Sequence, residues 1–267
     1  MKYDAHNSRL RVVRRSYADR PVFGTAVSDA ILHRVAAGEL EATLRLHRPA
    51  RELAFAKQDR VAPGFADAVA AARRGGFEPV VRMAGGRAAV FHEGTLAIAW
   101  ARPDPRPVAR IRERFEEAAA IIVGALRRLG VDARVGELPG EWCPGEWSVN
   151  AGGTVKLAGI GQRMIAGGAH IGAVVVAEGG ELVRAALEPV YAALALDWDP
   201  ATAGSVAEVT DGPGLGLDRV EGAILDELAE RYEIVAADVD EATLELAARL
   251  ESAHAPAVRA DDRGLHR

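Results

Sequence analysis

The chain has 267 residues, 49% of them hydrophobic and 27% charged, with a net charge of −5. That composition is ordinary for a water-soluble globular protein of one large domain, and the acidic balance argues against a nucleic-acid partner. A single cysteine, Cys143, excludes an internal disulfide and a multi-cysteine metal site. The first residues, Met1-Lys2-Tyr3-Asp4, lack the apolar core of a signal peptide, and the longest apolar stretches, 118–126 and 171–177, are too short to span a bilayer. The expectation is a cytoplasmic protein that makes no membrane contact.

The elements follow in chain order. Val12 and Val13 predict a strand over 11–17. Thr25 is placed to cap a helix over 26–37, with Val27, Ala30, Ile31 and Val35 on its buried face and Gly38 as its stop. Thr43-Leu44-Arg45-Leu46-His47 alternates polar and apolar residues like a half-buried strand, and 53–57 is another short strand. A helix over 63–74 ends at Gly75-Gly76. Three apolar runs, at 80–82, 88–92 and 96–101, predict strands joined by tight connections. Val108, Ile111, Phe115, Ala119, Ile122, Leu126 and Leu129 keep helical spacing up to Gly130. Strands at 148–150 and 155–162 flank a turn at Ala151-Gly152-Gly153, and 170–177 is a valine-rich strand. A helix is expected over 181–194. Asp211-Gly212-Pro213-Gly214 reads as a boundary between a catalytic domain, 1–212, and a short helical extension, 213–267. In that extension Leu217, Val220, Ile224 and Leu228 share one helical face and a second helix covers 241–250. Hairpin-like strand groups with helices between them predict an α+β fold.

Lysine is rare: of 33 basic residues only Lys2, Lys57 and Lys156 are lysines. Lys156 sits where an apolar run meets glycines, in Val155-Lys156-Leu157-Ala158-Gly159-Ile160-Gly161-Gln162. Lysine is a compact point charge that can be desolvated to hold developing negative charge, whereas arginine is a planar fork. The alternative is an edge lysine with its head in water. The turn Arg82-Met83-Ala84-Gly85-Gly86-Arg87 lets backbone approach a ligand and frees N–H groups for an anion, yet it matches neither the dinucleotide fingerprint nor a Walker loop.

These segments together resemble the lipoate–protein ligase and octanoyltransferase family. The residues that carry the likeness are Arg82…Gly85-Gly86-Arg87-Ala88…Val90-Phe91-His92-Glu93, then Lys156-Leu157-Ala158-Gly159-Ile160-Gly161-Gln162, then His170-Ile171-Gly172. Met83 and Ile160-Gly161 depart from the family pattern. The resemblance implies a biotin–lipoate ligase fold, related to class II synthetase cores, with a central mixed or antiparallel sheet flanked by helices. It implies an acyl pocket lined by Arg82, Gly85, Gly86, Arg87 and His92, with Gly159, Gln162 and His170 also on the substrate, and Lys156 meeting the acyl carbonyl.

The family divides on activation chemistry. Ligases use ATP and Mg2+ to make an acyl-adenylate of lipoate or octanoate. Transferases take octanoyl or lipoyl from acyl carrier protein or from another lipoyl domain, and need no cofactor. One transferase branch uses a cysteine nucleophile, and Cys143, 13 residues before Lys156, falls at its position once a short gap is allowed. A thiolate that takes an acyl group and hands it to an amine splits one hard step into two easier ones. The resemblance thus implies an acyltransferase acting as a monomer on the lysine of a lipoyl domain, such as glycine cleavage H protein or a 2-oxoacid dehydrogenase E2. An ATP-dependent ligase and an acyl-binding homologue without turnover remain open.

Overall fold

A computed structural model of the chain describes residues 8–210 and 215–256. The boundary read at Asp211–Gly214 lies outside the described residues.

The strands are β1 (Ser8–Val13), β2 (Thr43–His47), β3 (Glu52–Phe55), β4 (Glu78–Val81), β5 (Ala89–Phe91), β6 (Thr95–Pro103), β7 (Ala133–Val135), β8 (Val149–Ala151), β9 (Val155–Ile165), β10 (Gly168–Val176) and β11 (Tyr232–Ala237). The helices are α1 (Pro21–Ala36), α2 (Phe65–Arg74), α3 (Ile111–Arg128), α4 (Gly180–Ala193), α5 (Leu217–Ala229) and α6 (Glu241–His254). Eight strands form a mixed sheet in the order β11-β1-β2-β6-β10-β9-β8-β7, and β4-β3-β5 form a small second sheet. The fold is therefore the mixed α+β arrangement expected.

Several boundaries moved for physical reasons. Helix α1 starts at Pro21, whose fixed φ suits the first helical position, so Thr25 is not its cap. Helix α3 starts at Ile111, because the preceding turn is 3-10 and leaves Val108 71% exposed. Strand β7 and strand β11 were not anticipated. The segment expected to be wholly helical supplies β11 between α5 and α6, and β11 pairs in parallel with β1. Its sequence, Tyr-Glu-Ile-Val-Ala-Ala, is short and half-exposed, so alternation gives little signal.

Period-two alternation sets up the site. On β6 and β10, Leu96, Ile98 and Trp100 with Ile171, Ala173 and Val175 pack into the core beneath α3 and α5. The intervening residues form the opposite face. There Gly161 of β9 is in register with Gly172 of β10, Gly172 with Ala99 of β6, and Ala99 with Arg45 of β2. Three of these four carry a methyl or nothing, and they leave a trench across the sheet. A Cβ on Gly161 would lie 3.0 Å from the Ala84 methyl, so the glycine lets the 82–87 loop sit close. The small sheet with α2 and α4 forms a second core around Phe55, Phe65, Leu187 and Tyr191, which supports that loop.

Candidate active site

The trench opens into a cavity of about 400 Å³, lined in part by Arg82, Gly85, Gly86, Cys143, Gly159, Gln162 and His170. Two irregular segments form its mouth: the glycine turn 82–88 and the loop 136–148.

Cys143 is half-buried, and its backbone is left-handed at φ 44°, a conformation costly for a residue with a Cβ. Three neighbours hold it there. The Tyr191 hydroxyl accepts from the Cys143 N–H at 2.8 Å and donates to the Ala88 carbonyl at 3.0 Å. The Lys156 ammonium donates to the Cys143 and Trp142 carbonyls, both at 2.8 Å. The sulfur faces the glycine turn, where the Arg82 guanidinium lies 3.3 Å away and the Arg87 N–H 3.2 Å away. Burial pushes the thiol pKa up, but Arg82, then Lys156, and the Arg87 N–H outweigh it and bring the thiol below its usual value. Gly86, at φ 97°, makes this contact possible: a Cβ there would lie 2.7 Å from Sγ and 2.6 Å from an Arg82 nitrogen.

Lys156 does not face the cavity. Its side chain is fully buried, and Nζ spends its donors on Glu141 Oε1 at 3.0 Å and the two carbonyls. It also lies over the Trp142 ring at 4.5 Å. Burial pulls its pKa down, opposed by Cys143 and Glu141, and the net is below the usual ammonium range. It anchors the cysteine loop and adds positive charge behind the thiol.

Glu141 was missed in the sequence. Its buried carboxylate also accepts from Ser148 Oγ and from the Gly145 and Leu138 N–H groups at 3.1 Å. The only signal was an acid two residues before the cysteine, in a loop without periodicity. Tyr191, far along the chain on an amphipathic helix, gave no signal at all.

The remaining site residues divide. Gln162 lines the cavity and is fixed by Arg114 at 2.8 Å and by the Ile111 carbonyl at 2.8 Å. His170 lines it too, and burial lowers its pKa to about 4, so it is neutral near pH 7. Arg87 contributes its main-chain N–H, while its side chain turns 3.5 Å from Asp59. His92 is not part of the cavity lining. It is buried at the β5–β6 turn, where Nδ1 accepts from the Gly94 N–H at 3.0 Å.

A mixed sheet, a small-residue trench and a thiol at its mouth beside a guanidinium make up the site. The chain belongs to the lipoyl protein ligase A/B catalytic domain family, whose model it matches over residues 20–203. An octanoyl-[GcvH]:protein N-octanoyltransferase of Geobacillus kaustophilus is 30% identical over 162 residues, which is 61% of this chain and 57% of that protein. The chain thus spans little more than half the length of such relatives. The bi-partite lipoate protein ligase of Thermoplasma acidophilum has a similar fold, with a TM-score of 0.73 at 18% identity over 98% of each chain. So does a lipoate-protein ligase A bound with ATP, with a TM-score of 0.72 at 20% identity over 97% of this chain and 100% of that one. Among the described residues, no helix is long and apolar enough to cross a membrane.

Proposed function

We propose that the protein moves an octanoyl or lipoyl group onto the lysine of a lipoyl domain through a thioester on Cys143. The observation that carries this reading is the Cys143 sulfur at the cavity mouth, between the Arg82 guanidinium and the Arg87 N–H. In the first step Sγ attacks the acyl carbonyl of the donor. The carbonyl's bond to the donor lysine nitrogen, or to a carrier sulfur, breaks, and the leaving group takes a proton. In the second step the acceptor lysine amine attacks the thioester, the C–S bond breaks, the amine loses a proton and the thiolate returns. Arg82 and the Arg87 N–H are positioned to stabilise the oxyanion formed in each step. Arg82, Gly85, Gly86, Gly159, Gln162 and His170 line the acyl group's path.

The relatives' names point to an octanoylated lipoyl domain such as GcvH as donor, with acyl carrier protein as the other candidate. The acceptor is a lipoyl domain of the glycine cleavage H or 2-oxoacid dehydrogenase E2 kind. On this reading the protein acts as a cytoplasmic monomer, with 1–212 as the catalytic domain and 213–267 as a short C-terminal extension.

Incubation with an octanoylated donor and no ATP is expected to add one octanoyl group to the protein. That adduct is labile to hydroxylamine and absent from Cys143→Ser. Acceptor modification only with ATP, Mg2+ and free lipoate or octanoate would replace this reading with a ligase, and no use of either donor would leave an acyl-binding homologue.

A further inference from the structure

Helix α6 ends on His254, which lies outside the family-matched segment 20–203. The ring is 5% exposed. Nδ1 is 2.8 Å from the Val81 carbonyl and Nε2 is 3.1 Å from Asp29 Oδ2. Asp29 is itself buried on α1. Burial pushes its carboxyl up, but the His254 hydrogen bond and charge outweigh that and hold it ionised. The Val81 carbonyl can only accept, so Nδ1 of His254 donates to it.

Val81 closes β4, and the next residue is Arg82. The Arg82 N–H bonds the Phe55 carbonyl at 2.9 Å, and its guanidinium reaches both the Arg87 carbonyl at 2.6 Å and the Cys143 sulfur. We propose that His254 is a positioning residue for the nucleophile: it pins the end of β4 to the C-terminal helix and so fixes the Arg82 guanidinium against the thiol. His254 touches no substrate. Its effect travels through one carbonyl and one residue of backbone, and it makes the C-terminal segment part of thiol activation.

The titratable and charged groups around the histidine are Asp29 and His33 of α1, with His33 3.7 Å from Asp29 Oδ1, and Arg163 of β9 and His170 of β10, which both interact with Asp29. Glu251 of α6 is engaged with Arg20. The charged groups at the thiol are Arg82 and Lys156. Substitution at 254 removes a bond that helps hold Asp29 ionised and leaves the charges at the thiol, Arg82 and Lys156, in place.

The inference deepens the reading of Cys143 as nucleophile, yet its test needs no acyl donor. Iodoacetamide alkylation of Cys143 is followed against pH in the full chain. His254→Asn keeps a donor at the Nδ1 place, toward Val81, and loses the Asp29 bond. His254→Gln keeps a donor at the Nε2 place, toward Asp29, and loses the Val81 bond. The Asn variant is expected to keep the parent's pH profile. The Gln variant is expected to shift the profile toward the free-thiol value of about 8.5, with alkylation on the order of threefold slower at pH 7. A Gln profile that matches the parent's, or an Asn profile shifted as far as Gln's, overturns the proposal. Octanoyl transfer can fail without affecting this result.

Discussion

The two segments that meet at the thiol are built on opposite plans. The loop 136–148 has no regular structure but is heavily bonded: Glu141 takes four donors, Lys156 supplies three, and Tyr191 holds the Cys143 N–H. The turn 82–88 is bonded mainly at its two ends, through the Arg82 N–H to Phe55, the Arg82 guanidinium and the Arg87 N–H to the Cys143 sulfur, and the Ala88 carbonyl to Tyr191, with few bonds at the glycines between them. The Gly86 carbonyl accepts from Gln58, Arg82 bonds the Arg87 carbonyl, and the Gly85 N–H reaches the Gln162 carbonyl only at 3.4 Å. One side presents a preorganised thiol, and the other is fixed at its ends while its glycines permit close approach. Catalysis needs the first to be rigid, because the thiol's geometry and charge must exist before substrate arrives. On the proposed mechanism the second has to admit and release an acyl chain.

The largest effect should come from breaking the rigid side. Lys156→Ala strands the buried Glu141 carboxylate and is expected to cost about 3–5 kcal/mol of stability, read from the denaturant midpoint. Glu141→Gln should fall between this and the parent, since the amide keeps an acceptor. If Lys156→Ala unfolds at the parent's midpoint, the loop is not held as described, and the direct acyl-contact role read from the sequence regains support.

An intermediate effect tests the permissive side. Gly86→Ala puts a methyl 2.7 Å from Sγ at a φ of 97°. It is expected to cost only about 1 kcal/mol of stability, while thiol alkylation and acyl transfer fall roughly tenfold or more. A stability loss equal to that of Lys156→Ala would erase the contrast between the segments.

The smallest effect on acyl transfer belongs to Tyr191→Phe, which removes the hydroxyl that links the two sides. Burial already raises this phenol's pKa, so it acts as a neutral donor and acceptor. Its loss leaves the Cys143 N–H and the Ala88 carbonyl without that partner, at about 1–3 kcal/mol. Acyl transfer should slow by a few fold in a steady-state assay, with the cavity itself unchanged.

Much of this was legible in the chain of residues. Helical spacing located the buried faces of α1 and α5, because burial on one side imposes a repeat of 3.6, and alternation located β2, although that strand is buried on both faces and not on one. The family likeness singled out Arg82, Gly86, Gln162, His170 and Cys143, and tertiary structure brought them to one cavity. Tertiary structure alone decided the rest. Lys156 stood out as a rare lysine, but only its neighbours show that its ammonium is held by three acceptors. His92 belongs to the motif but not to the cavity lining, since a tight turn directs its ring into protein. Glu141, Tyr191 and His254 act through partners 15, 48 and 173 residues away. A local pattern encodes which face of an element is buried, and it carries no record of which distant acceptor a buried donor will meet.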